Sequence, residues 1–262
     1  MFSLSQGSIS KNSRMKNRFN RIAFFTTIAI IIIITIVGIC TYSPPMVSNK
    51  PNAIGVNESR YPIVGIDVSR HTGEIDFRKI KEQFHDTIDF VYIKASEGLD
   101  LVDVKLELNY VNARQNEISV GFYHFFKFNV SGKRQANNFL KTIKYKIFDL
   151  PLVLDVEEWS NSGIIPKERI LKEIRSFIDE VETQTKDKIM IYTNESGYQK
   201  YIHGNFVTNK IWICSFNLQP KILTNWTFWQ HSHRGKLNGA EGWVDLNTFN
   251  GTRKEWTQFL QK

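Results

Sequence analysis

Cysteine is scarce. The 262-residue chain has only Cys40 and Cys214. Cys40 sits in a long apolar run and Cys214 in a short strand-like one, so no disulfide framework and no thiolate metal cluster is expected. Cys214 reads as a small core residue. Histidine is sparse too, six in all, and His231 and His233 have no carboxylate at a spacing that suits a metal. Neither a metal nor any other cofactor is expected. No internal repeat and no low-complexity tract stands out. Acidic residues are missing from residues 1–21, where Lys11, Arg14, Lys16, Arg18 and Arg21 supply five of the net +8 charges. The rest of the chain is left only mildly basic, which gives no nucleic-acid footprint.

Charge of either sign is missing from residues 22–41, IAFFTTIAIIIIITIVGICT. About 20 apolar residues suffice to cross a bilayer. The basic flank before the run keeps the N-terminus in the cytoplasm and sends the remainder outward. A cleaved signal peptide is the competing reading, but its apolar stretch would be only ~7–15 residues. The expected order is a cytoplasmic segment 1–21, a transmembrane anchor 22–41, a linker 42–60 with Pro44, Pro45 and Pro51, and one domain over 61–262. A single-pass protein of the bacterial cytoplasmic membrane follows, with its domain on the periplasmic or extracellular side and secretion after cleavage as the alternative.

What the outer domain has in quantity is short apolar runs. They are IVGIDVS (63–69), FVYIKAS (90–96), VGFYHFF (120–126), PLVLDVE (151–157), KIMIYTN (188–194), KIWICSF (210–216), WTFWQHS (226–232) and VDLNTFN (244–250). Rich in Val, Ile and aromatics, they read as eight strands. Helical patterns separate the first five. Val104, Leu108 and Val111 share one face after Asp103, a candidate N-cap. Ala136, Phe139, Leu140 and Ile143 share another after Ser131. Ile170, Ile174, Phe177, Ile178 and Val181 form a stripe after Pro166. The fold class is α/β: an incomplete (β/α) barrel of five regular units and three final strands.

In such barrels chemistry sits at the C-terminal ends of the strands. Asp67 ends the first run, Glu97 follows the second, and Asp155 and Glu157 end the fourth. Asp245 begins the eighth, so its place at the same rim does not follow from the pattern. Asp155 and Glu157 are two apart on a strand and face the same way. Two carboxyls so placed do not both ionise readily, so one pKa rises. Glycoside hydrolysis uses such a division, with one acid to protonate the leaving oxygen and one carboxylate to stabilise or trap the cationic sugar. Glu158 faces the other way. An Asp-x-Glu pair alone is more often a solvated strand end than a site.

Its company changes that weighing. GIDVS (65–69), GEIDF (73–77), FVYIKASEG (90–98) with Asp103 and Asn109, GFYHFF (121–126), LPLVLDVE (150–157), IYTN (191–194), IWICSF (211–216), FWQHS (228–232) and GWVDLNTFNG (242–251) occur in order. With these blocks the chain resembles the glycoside hydrolase family 25 lysozymes, the Chalaropsis type of muramidase, from about Val64 to Gly251. The resemblance implies an irregular TIM-like (β/α)5(β)3 barrel and cleavage of the β-1,4 bond between N-acetylmuramic acid and N-acetylglucosamine in peptidoglycan. It implies Glu157 as acid/base, Asp155 as its partner, and Asp67 and Asp245 as further catalytic carboxyls. Tyr123, Tyr192, Trp229 and Gln230 would line the sugar groove, with Glu97 supporting the site. Asp155 would either stabilise positive charge directly or orient the substrate's N-acetyl group. The expected partners are peptidoglycan glycan strands and, through 22–41, a membrane, with no nucleic acid and a monomeric chain.

Two departures stand out. Ser215 occupies a position where the family often has Asp, and His71-Thr72 replaces an aromatic-Gln pair in the first loop. His124 and Lys94 read as structural, Lys94 as an ion-pair partner. The rival readings are an inactive, tethered peptidoglycan-binding module, a hydrolase of another N-acetylated polysaccharide, and a structural envelope protein.

Overall fold

The computed structural model describes residues 56, 60–83, 88–159, 161, 163–216, 219–223 and 225–261. All eight apolar runs form strands: β1 (Val64–Val68), β2 (Ile88–Glu97), β4 (Ser119–Phe125), β5 (Val153–Asp155), β6 (Met190–Asn194), β7 (Ile211–Cys214), β8 (Phe228–Gly235) and β9 (Val244–Phe249). A two-residue strand not expected from the sequence, β3 (Leu101–Val102), folds back on the end of β2. The strands from β1 to β8, β3 aside, run parallel around the sheet. β9 is antiparallel to both β8 and β1, and β1 also pairs with β2, so the sheet closes into an eight-strand barrel. Closure leaves no open edge.

Helices α1 (Phe77–Gln83), α2 (Leu106–Gln115), α3 (Gly132–Ile143) and α4 (Lys167–Thr185) connect the first five barrel strands. A short helical turn over 195–202 follows β6, and β7, β8 and β9 are joined by loops. This is the irregular α/β barrel expected from the pattern. Helix α4 buries Ile170, Ile174, Phe177, Ile178 and Val181, the stripe read from the sequence, and Ser131 caps α3 through the Arg134 backbone N–H. The face expected for α2 is corrected. Val104 precedes the helix and is exposed, as are Leu108 and Val111, while Leu106, Asn109 and Ala113 face the sheet. Apolar side chains happen to fall on the solvent side, and the buried stripe contains an Asn, so periodicity of apolar residues pointed to the wrong side. Asp103 is not the N-cap. It ties two loops together, accepting from the backbone N–H of Arg70 and of Lys105.

Two apolar clusters result. One fills the space between strands and helices. The other lies inside the barrel and is built from Ile63, Phe90, Tyr92, Val153, Met190, Tyr192, Trp212, Phe228 and Phe249. Helix α5 (Arg253–Leu260) closes its lower end, setting Trp256 against Phe90 and Phe259 against Phe228. The interior is so filled by rings that strand positions beside them must be small. A Cβ on Gly121 would stand 2.2 Å from Tyr92 Cε1. Gly121→Ala is therefore expected to destabilise the fold by about 1–3 kcal/mol through overpacking, readable in a urea titration.

Among the described residues no helix is long and apolar enough to cross a membrane. The anchor expected at 22–41 lies outside the described residues, as does Cys40.

Candidate active site

The aromatic filling stops below the C-terminal ends of the strands, leaving a cavity of about 1050 Å³. Its lining contains Asp67, Glu97, Tyr123, Asp155, Glu157, Tyr192, Gln230 and Asp245. Eight of the nine residues expected at the site are thus brought together. Asp245 reaches this rim because β9 runs against its neighbours, so its start lies where the other strands end. The register sets Asp245 opposite Asp67.

Trp229 is the exception and is corrected. It is 1% exposed, lies on the outer side of the barrel wall against Tyr61 and Trp226, and donates its indole N–H to the Ser215 carbonyl. Alternation accounts for this. Gln230 faces inward, so its neighbour Trp229 faces outward. The strand tryptophan that does line the cavity is Trp212, two residues before Cys214 on β7. The same alternation, counted inward from Cys214, would have found it. Phe125, Trp159 and Phe216 also line the cavity, although no sequence reading singled them out. Cys214 is the small core residue expected, packed inside the barrel with one side at the cavity wall, and burial pushes its thiol above the usual range.

Asp67 is held by a continuous buried network. Its Oδ2 accepts from Gln230 Nε2 and Asn247 Nδ2, both at 2.8 Å. Gln230 Oε1 in turn accepts from Tyr192 Oη at 2.8 Å, and Asn247 Oδ1 from Trp212 Nε1 at 2.9 Å. Each donor's direction is fixed by the next group, so five side chains from five strands have one arrangement. Burial raises the Asp67 carboxyl to about 6, although both amide donors pull it down. Asn247 was not anticipated. It is on β9, two residues past Asp245, and so points the same way.

Asp155 and Glu157 leave the end of β5 on the same side. The backbone there is pinned. Val156 N–H donates to the Tyr192 carbonyl, Thr193 Oγ1 to the Val156 carbonyl, and Asn161 Nδ2 to the carbonyls of Glu157 and Phe126. Glu158 points away, accepting from Tyr201 Oη at 2.7 Å. Burial, then the Glu157 charge, pushes Asp155 well above the usual carboxylate range. Asp155 Oδ1 is buried with no hydrogen-bond partner among the described residues. Glu157 is also raised by burial, against an opposing hydrogen bond from Trp159. Asp245 is raised to about 9 by burial and by the charges of Asp67 and Glu157. Carboxyls this close bind protons as a group, so at neutral pH the site holds proton donors beside carboxylates.

Glu97 behaves differently. Burial would raise it, but hydrogen bonds from Lys94 and Lys127 outweigh that and bring it down to about 2. Lys94 Nζ is 2.7 Å from Glu97 Oε2, the ion pair expected of it. Glu97 is thus a permanent anion that fixes Lys94 at the cavity wall. His124 stands behind the wall, fully buried between Ser96 Oγ at 2.9 Å and Gln135 Oε1 at 3.3 Å, and burial holds it neutral, near 3. Ser215, His71 and His233 line the rim. No group of three or more metal-ligating side chains occurs among the described residues.

Raised carboxyls beside a fixed anion, set in an open groove at the strand ends of an α/β barrel, are the equipment of a glycoside hydrolase. The family model of glycosyl hydrolases family 25 matches residues 66–240, and the chain belongs to that family. YegX of Escherichia coli K12 is 36% identical over 204 residues, covering 76% of this chain and 74% of YegX. Lysozyme M1 of Streptomyces globisporus is 32% identical over 205 residues, covering 72% and 68%. The solved structure of a family 25 glycosyl hydrolase from Bacillus anthracis superimposes with a TM-score of 0.72 at 33% identity, covering 80% of this chain and 99% of that one.

Proposed function

We propose that the protein is a muramidase that hydrolyses the β-1,4 bond between N-acetylmuramic acid and N-acetylglucosamine in peptidoglycan. The observation that carries this reading is the buried Oδ1 of Asp155, which has no partner among the described residues, beside the raised Glu157. A buried acceptor without a donor costs stability unless a ligand supplies one. The amide N–H of an N-acetylated sugar is such a donor. Glu157 protonates the glycosidic oxygen as the bond to muramic acid breaks. Asp155 holds the N-acetyl group so that its carbonyl can support the anomeric carbon, or stabilises the positive charge directly. Asp67 and Asp245 fix this arrangement, the former through Gln230 and Asn247. Tyr123, Tyr192 and Gln230 contact sugar along the groove. The relation to lysozyme M1 supports the substrate.

The same reading makes residues 22–41 a single membrane span and 61–262 the catalytic domain, acting as a monomer on the outer side of the bacterial cytoplasmic membrane. The absence of charge over 22–41 and the basic flank before it support this placement. A dye-release assay on purified peptidoglycan tests the function. Soluble dyed fragments are expected. Protein retained on the sacculi with no dye released would instead mark a binding module.

A further inference from the structure

Among the described residues, Glu157 has one hydrogen-bond partner at its carboxyl. Trp159 Nε1 donates a hydrogen bond to Glu157 Oε2. The geometry is local and constrained, because Asn161 clamps the Glu157 carbonyl from the far side of Trp159. The Trp159 ring stands edge-on to Phe125, 5.7 Å between centroids, and Phe125 lies under the ammonium groups of Lys94 and Lys127. Yet Trp159 is 75% exposed, so one face of a large ring is open at the mouth of the cavity it lines. Its N–H is committed to the site while its face is offered outward.

We propose that Trp159 is a positioning residue: its N–H holds Oε2 of Glu157, so that Oε1 carries the transferable proton, and its open face is a platform that the glycan covers on binding. This rests on reading Glu157 as the acid. A neutral carboxyl whose Oε2 accepts an N–H bears its proton on Oε1. As the C–O bond breaks, its electron pair goes to the leaving oxygen, which takes the proton from Oε1. The carboxylate left behind is the form the indole N–H stabilises. Sugar stacked on the ring excludes water from that hydrogen bond and strengthens it when charge develops.

Trp159→Phe keeps a ring against Phe125 and an apolar platform but has no donor. The expected result is kcat lowered several-fold with KM within about twofold. Removing a donor to the charged form raises the carboxyl, so the alkaline limb of the kcat/KM profile moves up by about half to one pH unit. The other ionisable groups lining this cavity are Asp67 of β1, Lys94 and Glu97 of β2, Tyr123 of β4, Asp155 of β5, Tyr192 of β6, Cys214 of β7 and Asp245 of β9, with Arg70, His71, Glu195 and His233 at its wall. All are unchanged in this variant, so the shift reports one N–H. Trp159→Ala should raise KM as well. In the wild-type protein the indole 15N–1H resonance of Trp159 should titrate along the same limb, and in Glu157→Gln it should stay flat. If Glu157→Gln keeps wild-type activity, the assignment of Glu157 fails. If Glu157→Gln is inactive while Trp159→Phe leaves both kcat and the alkaline limb unmoved, the role of Trp159 alone is overturned.

Discussion

Replacing Glu157 with Gln should lower turnover on peptidoglycan by about 10²–10⁴-fold, the usual contribution of a positioned general acid. Gln keeps the shape and still accepts from the Trp159 indole, but it has no proton to give. The fold should not suffer. Glu157 is raised by burial, so the native state already disfavours its charge, and a neutral side chain relieves that. The thermal midpoint should therefore be equal to or higher than wild type while activity collapses. Activity lost together with a lower midpoint would point to a structural role. Full activity would remove Glu157 from the chemistry.

Asp245→Asn should stabilise the protein near neutral pH. Asp245 is raised from 3.8 to about 9 in the folded protein. Below the lower value both folded and unfolded chains hold the proton, and the group contributes no difference. Between the two values the unfolded chain releases its proton and the folded chain keeps it. Unfolding therefore becomes progressively more favourable as pH rises through that window. Asn cannot ionise and is free of the penalty. Because the cluster shares its protons, removing one carboxyl relieves only part of it, on the order of 1–3 kcal/mol. Denaturant titrations from pH 4 to pH 9 should show the wild type losing stability and the variant losing less. A variant less stable than wild type at pH 8 would mean that Asp245 is ionised and paired. Stability given up at a site where function needs clustered acids is a common compromise.

The barrel strands were legible because strands buried on both faces, as the seven parallel ones are, write themselves as continuous apolar runs. The position of Asp67, Asp155 and Glu157 was legible for the related reason that chemistry collects at the ends of those runs. Asp245 was legible only through family resemblance. Its rim position depends on β9 being antiparallel, and strand direction is a property of the closed sheet, not of any local stretch. Trp229 was misplaced because a motif, FWQHS, was carried over as a block. Period-two alternation allows Gln230 or Trp229 to face the cavity, not both. The same rule would have supplied Trp212 and Asn247, which together form one arm of the network on Asp67. Helix α2 was turned the wrong way because Leu108 and Val111 face solvent while an Asn shares the buried stripe with Leu106 and Ala113. Trp159 left no periodic signal, since it lies beyond the last strand residue and its role depends on the loop that Asn161 ties down.

Digestion of defined peptidoglycan, with the fragments identified by mass spectrometry, is the most direct test of the central claim. Wild-type protein should release disaccharide fragments with N-acetylmuramic acid at the reducing end, and the Glu157→Gln protein should release none. Fragments ending in N-acetylglucosamine, or the same fragments from both proteins, would contradict it.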